Sequence, residues 1–504
     1  MSEACFLGLD LGTTHVKCIA LSMEGRVVAS AMRPVQTRAP LPGRAEQDPW
    51  SVWEAAAGAL RETCAAVGPG AIQALALSGA MHTCLPVAAD GSPLAPALTW
   101  ADQRAAGVCR RLRRQLGQAD GLYRRTGCPL QPIYHIPKLR WWAERAPDIA
   151  RRAARFVALK DFVLHRLSGT WITDPSTWSA TGLLDIRLCR WDGEALELAG
   201  IGQERLLPLA SPYTRVGGLT GEAARATGLP SGLPLVLGAS DGALANLGCG
   251  TLAPGQVVIS VGTSGAVRQW VAEPRLDPAQ RTWCYLLAEG RWFAGGAVNN
   301  AGLAVQWVRD SLYAGEPEGG GTGFERLFAE AAQVPAGAGG LRCLPFFAGE
   351  RSPWFRADAR AAFMGLGWEH GRPHLARAVL EAVALRLADV WDALAIAPNG
   401  EPARLAGGIL RSPFWAQLLS DALGVPLAAV EAADASAAGA ALLAQSALEP
   451  GLSLQDLVGR IRPGRHWRPD PGNHQTYRRL LEEFRELYRR FVDIGPARGY
   501  SDEA

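Results

Sequence analysis

Four short segments combine glycine with hydroxyl and carboxylate side chains in patterns that could hold and transfer a phosphate. The first is Leu7-Gly-Leu-Asp-Leu-Gly-Thr-Thr-His-Val-Lys17. A turn of Gly12, Thr13 and Thr14 exposes backbone N–H groups and two hydroxyls, donors suited to polyphosphate oxygens. Asp10 ends the preceding apolar run and suits a water-mediated Mg2+ contact, since Mg2+ keeps several waters and uses few carboxylates. The second segment, Ser260-Val-Gly-Thr-Ser-Gly265, repeats these donors at Gly262, Thr263, Ser264 and Gly265. The third runs from Gly238 through Asp241 to Gly248, an apolar run giving way to a small-residue helix. Asp241 would either cap that helix or act as general base toward an attacking hydroxyl. In the fourth, Leu405 to Asp421, Gly407-Gly408 lets a flat ring approach the backbone and Ser412-Pro413 starts a helix, which suits an adenine site. Each segment alone has a plainer reading as a turn, a cap or a strand-to-helix joint. The matched pair of turns is more specific, because two clamps suit one nucleotide lying between two lobes.

The elements that position these segments follow from apolar periodicity. Residues 6–9, 16–21 and 27–32 read as three strands, and residues 46–66 as a helix. Asp48 would be its N-cap, Pro49 its first residue, and Trp50, Trp53, Ala57 and Leu60 its stripe. Residues 72–77 form a further buried run ending at Ser78-Gly79. The pattern restarts half a chain later, with strands at 256–261 and 266–271 and a hairpin at 282–297. One repeat at half-chain spacing argues for duplication, not a solenoid. The expected domains are 1–247 and 248–492, facing each other across a cleft, with a tail at 493–504. Residues 315–322 read as a flexible surface loop, and 475–491 as a packing helix.

Length and composition agree with two ordinary cores. The chain has 504 residues, 48% hydrophobic and 20% charged, with a net charge of +3. That balance gives no reason to invoke nucleic acid or a membrane surface as partner. The ten cysteines are scattered without a Cys-x-x-Cys pair and read as reduced thiols of a cytoplasmic protein. The only lysines are Lys17, Lys138 and Lys160, among 51 basic residues. A chain that writes arginine almost everywhere can keep lysine where a compact ammonium is required.

These segments, in this order and spacing, resemble the FGGY carbohydrate kinase family. Further matches are Glu46-Gln-Asp-Pro49, Gly349-Glu-Arg-Ser-Pro353 and the stretch from Phe363 to Gly367. The resemblance implies an α/β chain of two actin-like (ribonuclease H-like) ATPase domains, with ATP and Mg2+ as cofactors and a sugar or polyol as acceptor. By likeness, Asp10, Thr13, Thr14, Thr263, Ser264 and Gly265 belong to the phosphate sites, and Asp10 and Asp241 to the metal site. Asp241 matches the family's base, and Gly407 and Gly408 its adenosine site, with Ala438-Gly439 in the helix that follows.

The acceptor would be read by three segments of the N-terminal half. They contribute Met81 and His82, then Trp100, Asp102 and Arg104, then the stretch from Thr126 to Trp141 containing Lys138. An aromatic face with charge-assisted donors suits a polyhydroxylated ligand. The combination resembles the gluconate kinase branch, so Arg104 or Lys138 is expected to hold a sugar carboxylate. Gln131 stands near the place where that branch leads us to expect histidine, which keeps xylulose and other pentuloses open. An actin-like or chaperone-type ATPase without a sugar acceptor is the alternative from another class. Oligomeric state is not legible; a homodimer is compatible.

Overall fold

The computed structural model describes residues 3–41, 43–117, 119–314, 323–397, 400–431 and 434–493. The expected loop at 315–322 and the tail beyond Asp493 lie outside these residues. Two twisted sheets dominate. The first has six strands, in the order 215–218, 234–240, 72–79, 5–11, 15–22 and 27–34. The second has seven, in the order 283–288, 291–298, 265–271, 257–261, 403–406, 427–429 and 466–467.

The two sheets share one plan. In each, an antiparallel hairpin (5–11 with 15–22; 257–261 with 265–271) is extended on one side by a third antiparallel strand. On the other side two parallel strands follow, 72–79 and 234–240 in the first sheet, 403–406 and 427–429 in the second. Strand 283–288 is an addition at the second sheet's edge. This duplicated plan is the actin-like architecture. The first strand, Cys5–Leu11, is buried along its whole length, as expected of a central strand covered on both faces.

Helix Pro49–Val67 covers one face of the first sheet. It starts three residues later than the sequence suggests, because Glu46–Gln47 pair as a short strand with 37–38 and 97–98. Asp48 accepts the Trp50 N–H at 3.2 Å, and Pro49 takes the first helical position, where its missing N–H costs nothing. The stripe also differs. Val52, Ala56, Ala59 and Leu60 are buried, while Trp50 is 43% exposed beneath the Arg166 guanidinium. Small residues let the helix sit close to the sheet, which displaces the tryptophan outward.

The opposite face of the first sheet is covered by a helix from the far end of the chain, Ala435–Leu448. The approach is close enough that a Cβ on Gly8 would overlap the Ala437 carbonyl. The same helix crosses Asp241–Gly248, where a Cβ on Gly439 would overlap Leu244 O and one on Gly248 would overlap Ala435 O. The lobes therefore meet through two small-residue helices at backbone contact. The C-terminal helix Pro471–Asp493 buries Tyr477, Leu480, Leu481, Phe484 and Tyr488, a packing stripe as expected.

Candidate active site

Register places the first cluster at the carboxyl ends of three adjacent strands. Asp10 lies opposite Ser78, Leu11 opposite Gly79, and Ser240 opposite Gly79. Ligand sites of open α/β sheets form at such strand ends. The Gly12–Thr14 turn is fastened from behind. The Thr13 carbonyl accepts from Thr37 Oγ1 at 2.8 Å and Gln47 Nε2 at 3.0 Å, and the Thr14 carbonyl accepts from Val35 N at 2.9 Å. Within the described residues no protein group engages the Thr13 and Thr14 hydroxyls.

The second turn is held the same way by a different element. Gly302 N donates to Gly262 O at 2.8 Å and Leu303 N to Thr263 O at 3.0 Å, both from the start of helix Gly302–Leu312. Gly262 and Thr263 are exposed, and Ser264 partly so. Gly407 follows strand 403–406 beside this turn with φ 99°, and a Cβ there would meet Val261 O. Glycine at 407 is thus required by both torsion and space. Ser412 is buried and caps helix Pro413–Leu423, accepting from Trp415 N at 3.2 Å. Its hydroxyl serves the helix, not an open face.

Asp241 is the first residue of its helix, and Ser240 is the cap, its Oγ accepting from Ala243 N at 3.5 Å. The capping alternative for Asp241 therefore goes to its neighbour. The Asp241 carboxylate accepts from Gly242 N at 2.8 Å. Burial pushes its pKa up against the opposing pull of Arg268 and the hydrogen bonds from the Gly242 and Met81 backbone. Asp10 is raised well above the usual carboxylate range by burial and by the charges of Asp434 and Asp241. Ser78 Oγ donates to it at 2.6 Å. Asp434 in turn pairs with Lys17 Nζ at 2.7 Å, joining the two halves of the chain.

Three carboxylates thus crowd one place with one lysine among them. Among the described residues no group of three His, Cys, Asp or Glu side chains forms a metal cage. Crowded carboxylates without a cage suit a hydrated divalent cation, which Asp10 and Asp241 would hold largely through water.

Of the residues expected to meet the acceptor, His82 is buried and Met81 and Trp100 are partly so. His82 has φ 69°, and its Nδ1 lies 2.6 Å from Ala180 O. Burial and the Lys138 charge hold its pKa down at about 3, so the ring is neutral at pH 7. Asp102, Arg104 and Lys138 are turned toward protein partners, contrary to the expectation that they face ligand. Asp102 accepts from Ala45 N at 2.8 Å and from Arg104 Nε at 2.8 Å. Arg104 also pairs with Glu46 and lies over the Trp141 ring. Lys138 is fully buried and donates to His82 O at 2.7 Å and Thr99 O at 2.9 Å. Burial lowers its pKa to about 8. The physical reason is position: Lys138 lies one turn inside helix His135–Arg145, beneath the two backbone segments that carry His82 and Trp100.

The three rare lysines all hold specific partners. Lys160, also fully buried, meets Asp174 at 2.9 Å and Asp161 at 3.4 Å. Four residues of the C-terminal half that sequence reasoning did not single out lie beside these groups: Arg268 acts on Asp241, Tyr285 meets Tyr134 and His82, Arg351 lies over Trp100, and Asp434 joins the Asp10 and Lys17 cluster. Tyr285 Oη lies 2.8 Å from Tyr134 Oη across the lobes. The available signals were a charged Arg268 in the mostly apolar strand 265–271 and Arg351 within the Gly349-Glu-Arg-Ser-Pro353 stretch.

The sequence profile of the FGGY carbohydrate kinase N-terminal domain matches residues 5–248, and that of the C-terminal domain matches 257–448. The chain belongs to the FGGY family of carbohydrate kinases. It is 32% identical over 492 residues to the gluconokinase of Bacillus subtilis (strain 168), covering 96% of this chain and 95% of that one. It is 31% identical to the xylulose kinase of Escherichia coli (strain K12), over 97% of this chain and 99% of the relative. The crystal structure of gluconate kinase from Lactobacillus acidophilus superposes with a TM-score of 0.90 at 29% identity, covering 96% of this chain and 98% of that one. The FGGY protein is therefore a sugar kinase that uses ATP. Among the described residues no helix is long and apolar enough to cross a membrane.

Proposed function

We propose that this kinase transfers the γ-phosphate of ATP to the terminal hydroxyl of a sugar acid, gluconate giving 6-phosphogluconate. The observation that carries the reading is Asp241: a carboxylate relieved of capping by Ser240, with its pKa raised by burial, at the meeting of both lobes. A base whose pKa is raised above that of a free carboxylate accepts a proton better in the transition state. Asp241 takes the proton of the acceptor hydroxyl as its oxygen bonds to the γ-phosphorus. The bond from phosphorus to the β–γ bridging oxygen breaks, and ADP leaves.

Thr13, Thr14, Thr263 and Ser264 hold the phosphates, with Gly12, Gly262 and Gly265 keeping the turns narrow, while Gly407 and Gly408 admit the adenine ring. Mg2+, held by Asp10 and Asp241 largely through water, would neutralise charge on the phosphates. Met81, His82 and Trp100 form the acceptor wall, and Asp102, Arg104 and Lys138 fix the backbone behind it. Closure of the lobes excludes water, a competing acceptor.

The gluconokinase relative supports a sugar acid. The xylulose kinase relative, nearly as similar, and Gln131 keep a pentulose as the second reading. A coupled ADP-release screen over gluconate, xylulose, ribulose and glycerol tests the choice. Gluconate is expected to give the highest kcat/KM; a clear preference for xylulose would move the assignment to that branch.

A further inference from the structure

An acid acceptor needs a cation, and the two cations of the N-terminal half suggested for it, Arg104 and Lys138, already hold protein partners. The C-terminal half brings two guanidinium groups to the same place. Arg268 donates to Ser260 Oγ at 3.0 Å, and its charge is answered by Asp241. Arg351 differs. Its neighbour Glu350 is held elsewhere: Oε1 accepts the Arg351 backbone N–H at 2.7 Å, and Oε2 accepts from Arg386 Nε at 3.2 Å. Among the described residues the Arg351 guanidinium has a single long bond, to Val298 O at 3.4 Å, and its Nε, like that of Arg268, is shielded from solvent without a partner.

The guanidinium carbon lies over the Trp100 ring of the other lobe, 4.7 Å from its centroid. A cation-π contact uses none of the guanidinium N–H donors, and the unpartnered Nε leaves donors for a carboxylate, which a guanidinium binds with two parallel hydrogen bonds. The groups whose charge bears on it are Glu350, Tyr285, Arg268 and Tyr134, and it also bears on His82. These include the acceptor wall. Burial weakens the charged form of Arg351, a cost that an anionic ligand would offset.

We propose that Arg351 is the specificity-determining residue that binds the carboxylate of the acceptor, with Asp241 at the opposite, reacting end. The inference rests on the sugar-acid reading above and deepens it. Because Arg351 and Trp100 come from different lobes, the acid end of the acceptor would bridge the cleft and favour its closed form. A neutral sugar would leave those donors unpaired.

The test compares gluconate with glucitol, in which a hydroxymethyl group replaces the carboxylate. Binding to the full chain is followed by intrinsic tryptophan fluorescence, alongside KM for ADP release. Wild type is expected to bind gluconate at least about tenfold more tightly than glucitol. Arg351→Gln is expected to weaken gluconate by roughly 10- to 100-fold and glucitol by less than about threefold. Arg351→Lys keeps charge without the flat fork and is expected to fall between; it also serves if the glutamine variant does not fold. Equal losses for both ligands, or an undiminished gluconate preference in either variant, would overturn the inference alone. A wild type that prefers the neutral ligand would overturn the sugar-acid reading and this inference with it.

Discussion

Replacing Asp241 by Asn separates the two roles a carboxylate at a helix start can have. Asn keeps the size of the side chain and an oxygen for the Gly242 N–H, but it cannot accept the acceptor's proton. A general base contributes about 10²–10⁴-fold, or roughly 2.7–5.4 kcal/mol at 1.36 kcal/mol per decade, so kcat should fall by that factor while ATP and sugar binding persist. Stability should move the other way. Burial raises the folded pKa of Asp241, so the folded state holds its proton to higher pH than the unfolded state does. Stability from this group is therefore lost as pH rises through the window above 3.8, and the ionised carboxylate is a burden at pH 7. Asp241→Asn should be at least as stable as wild type at pH 7. Ser240→Ala removes the actual cap and should cost about 1 kcal/mol, roughly 2–4 °C in Tm. Steady-state ADP release and thermal unfolding read both effects. Near-normal turnover in Asp241→Asn, or a Tm loss larger than that of Ser240→Ala, would refute the reasoning.

Two further outcomes follow from buried groups. His82 has a folded pKa near 3 against 6.5 for the free side chain, so the unfolded state binds the extra proton between those values and stability rises with pH across that window. Relative to His82→Gln, wild type should gain about 1.4 kcal/mol per pH unit between roughly pH 4.5 and 6 in urea unfolding; parallel profiles would contradict this. Gly439→Ala should destabilise by about 1–2 kcal/mol, because the overlap with the Leu244 carbonyl outweighs the roughly 1 kcal/mol gain in helix propensity. A more stable variant in denaturant melts would show that the helix crossing is looser than described.

The repeated hairpins were legible because each pairs an apolar run with a glycine-threonine turn, a local signal. That both glycine-threonine turns close antiparallel hairpins was legible for the same reason. The surroundings of the expected acceptor wall were only half legible. Met81, His82 and Trp100 lie in continuous segments, but Tyr285 and Arg351 are set beside Tyr134 and Trp100 by lobe packing alone. Local spacing also misdirected the reading of Lys138 and Arg104, since a basic residue near a ligand wall looks the same in sequence whether it faces the ligand or supports the backbone behind it. Ser412 was read as an adenosine contact for a similar reason: a helix cap and a ligand hydroxyl share one residue type.

The most direct test follows the γ-phosphate itself. In 31P NMR of wild-type protein with ATP, Mg2+ and gluconate, a phosphomonoester resonance should grow in step with ADP, and Asp241→Asn should suppress both. Inorganic phosphate growing in step with ADP, with no ester for any sugar acid, would contradict the account.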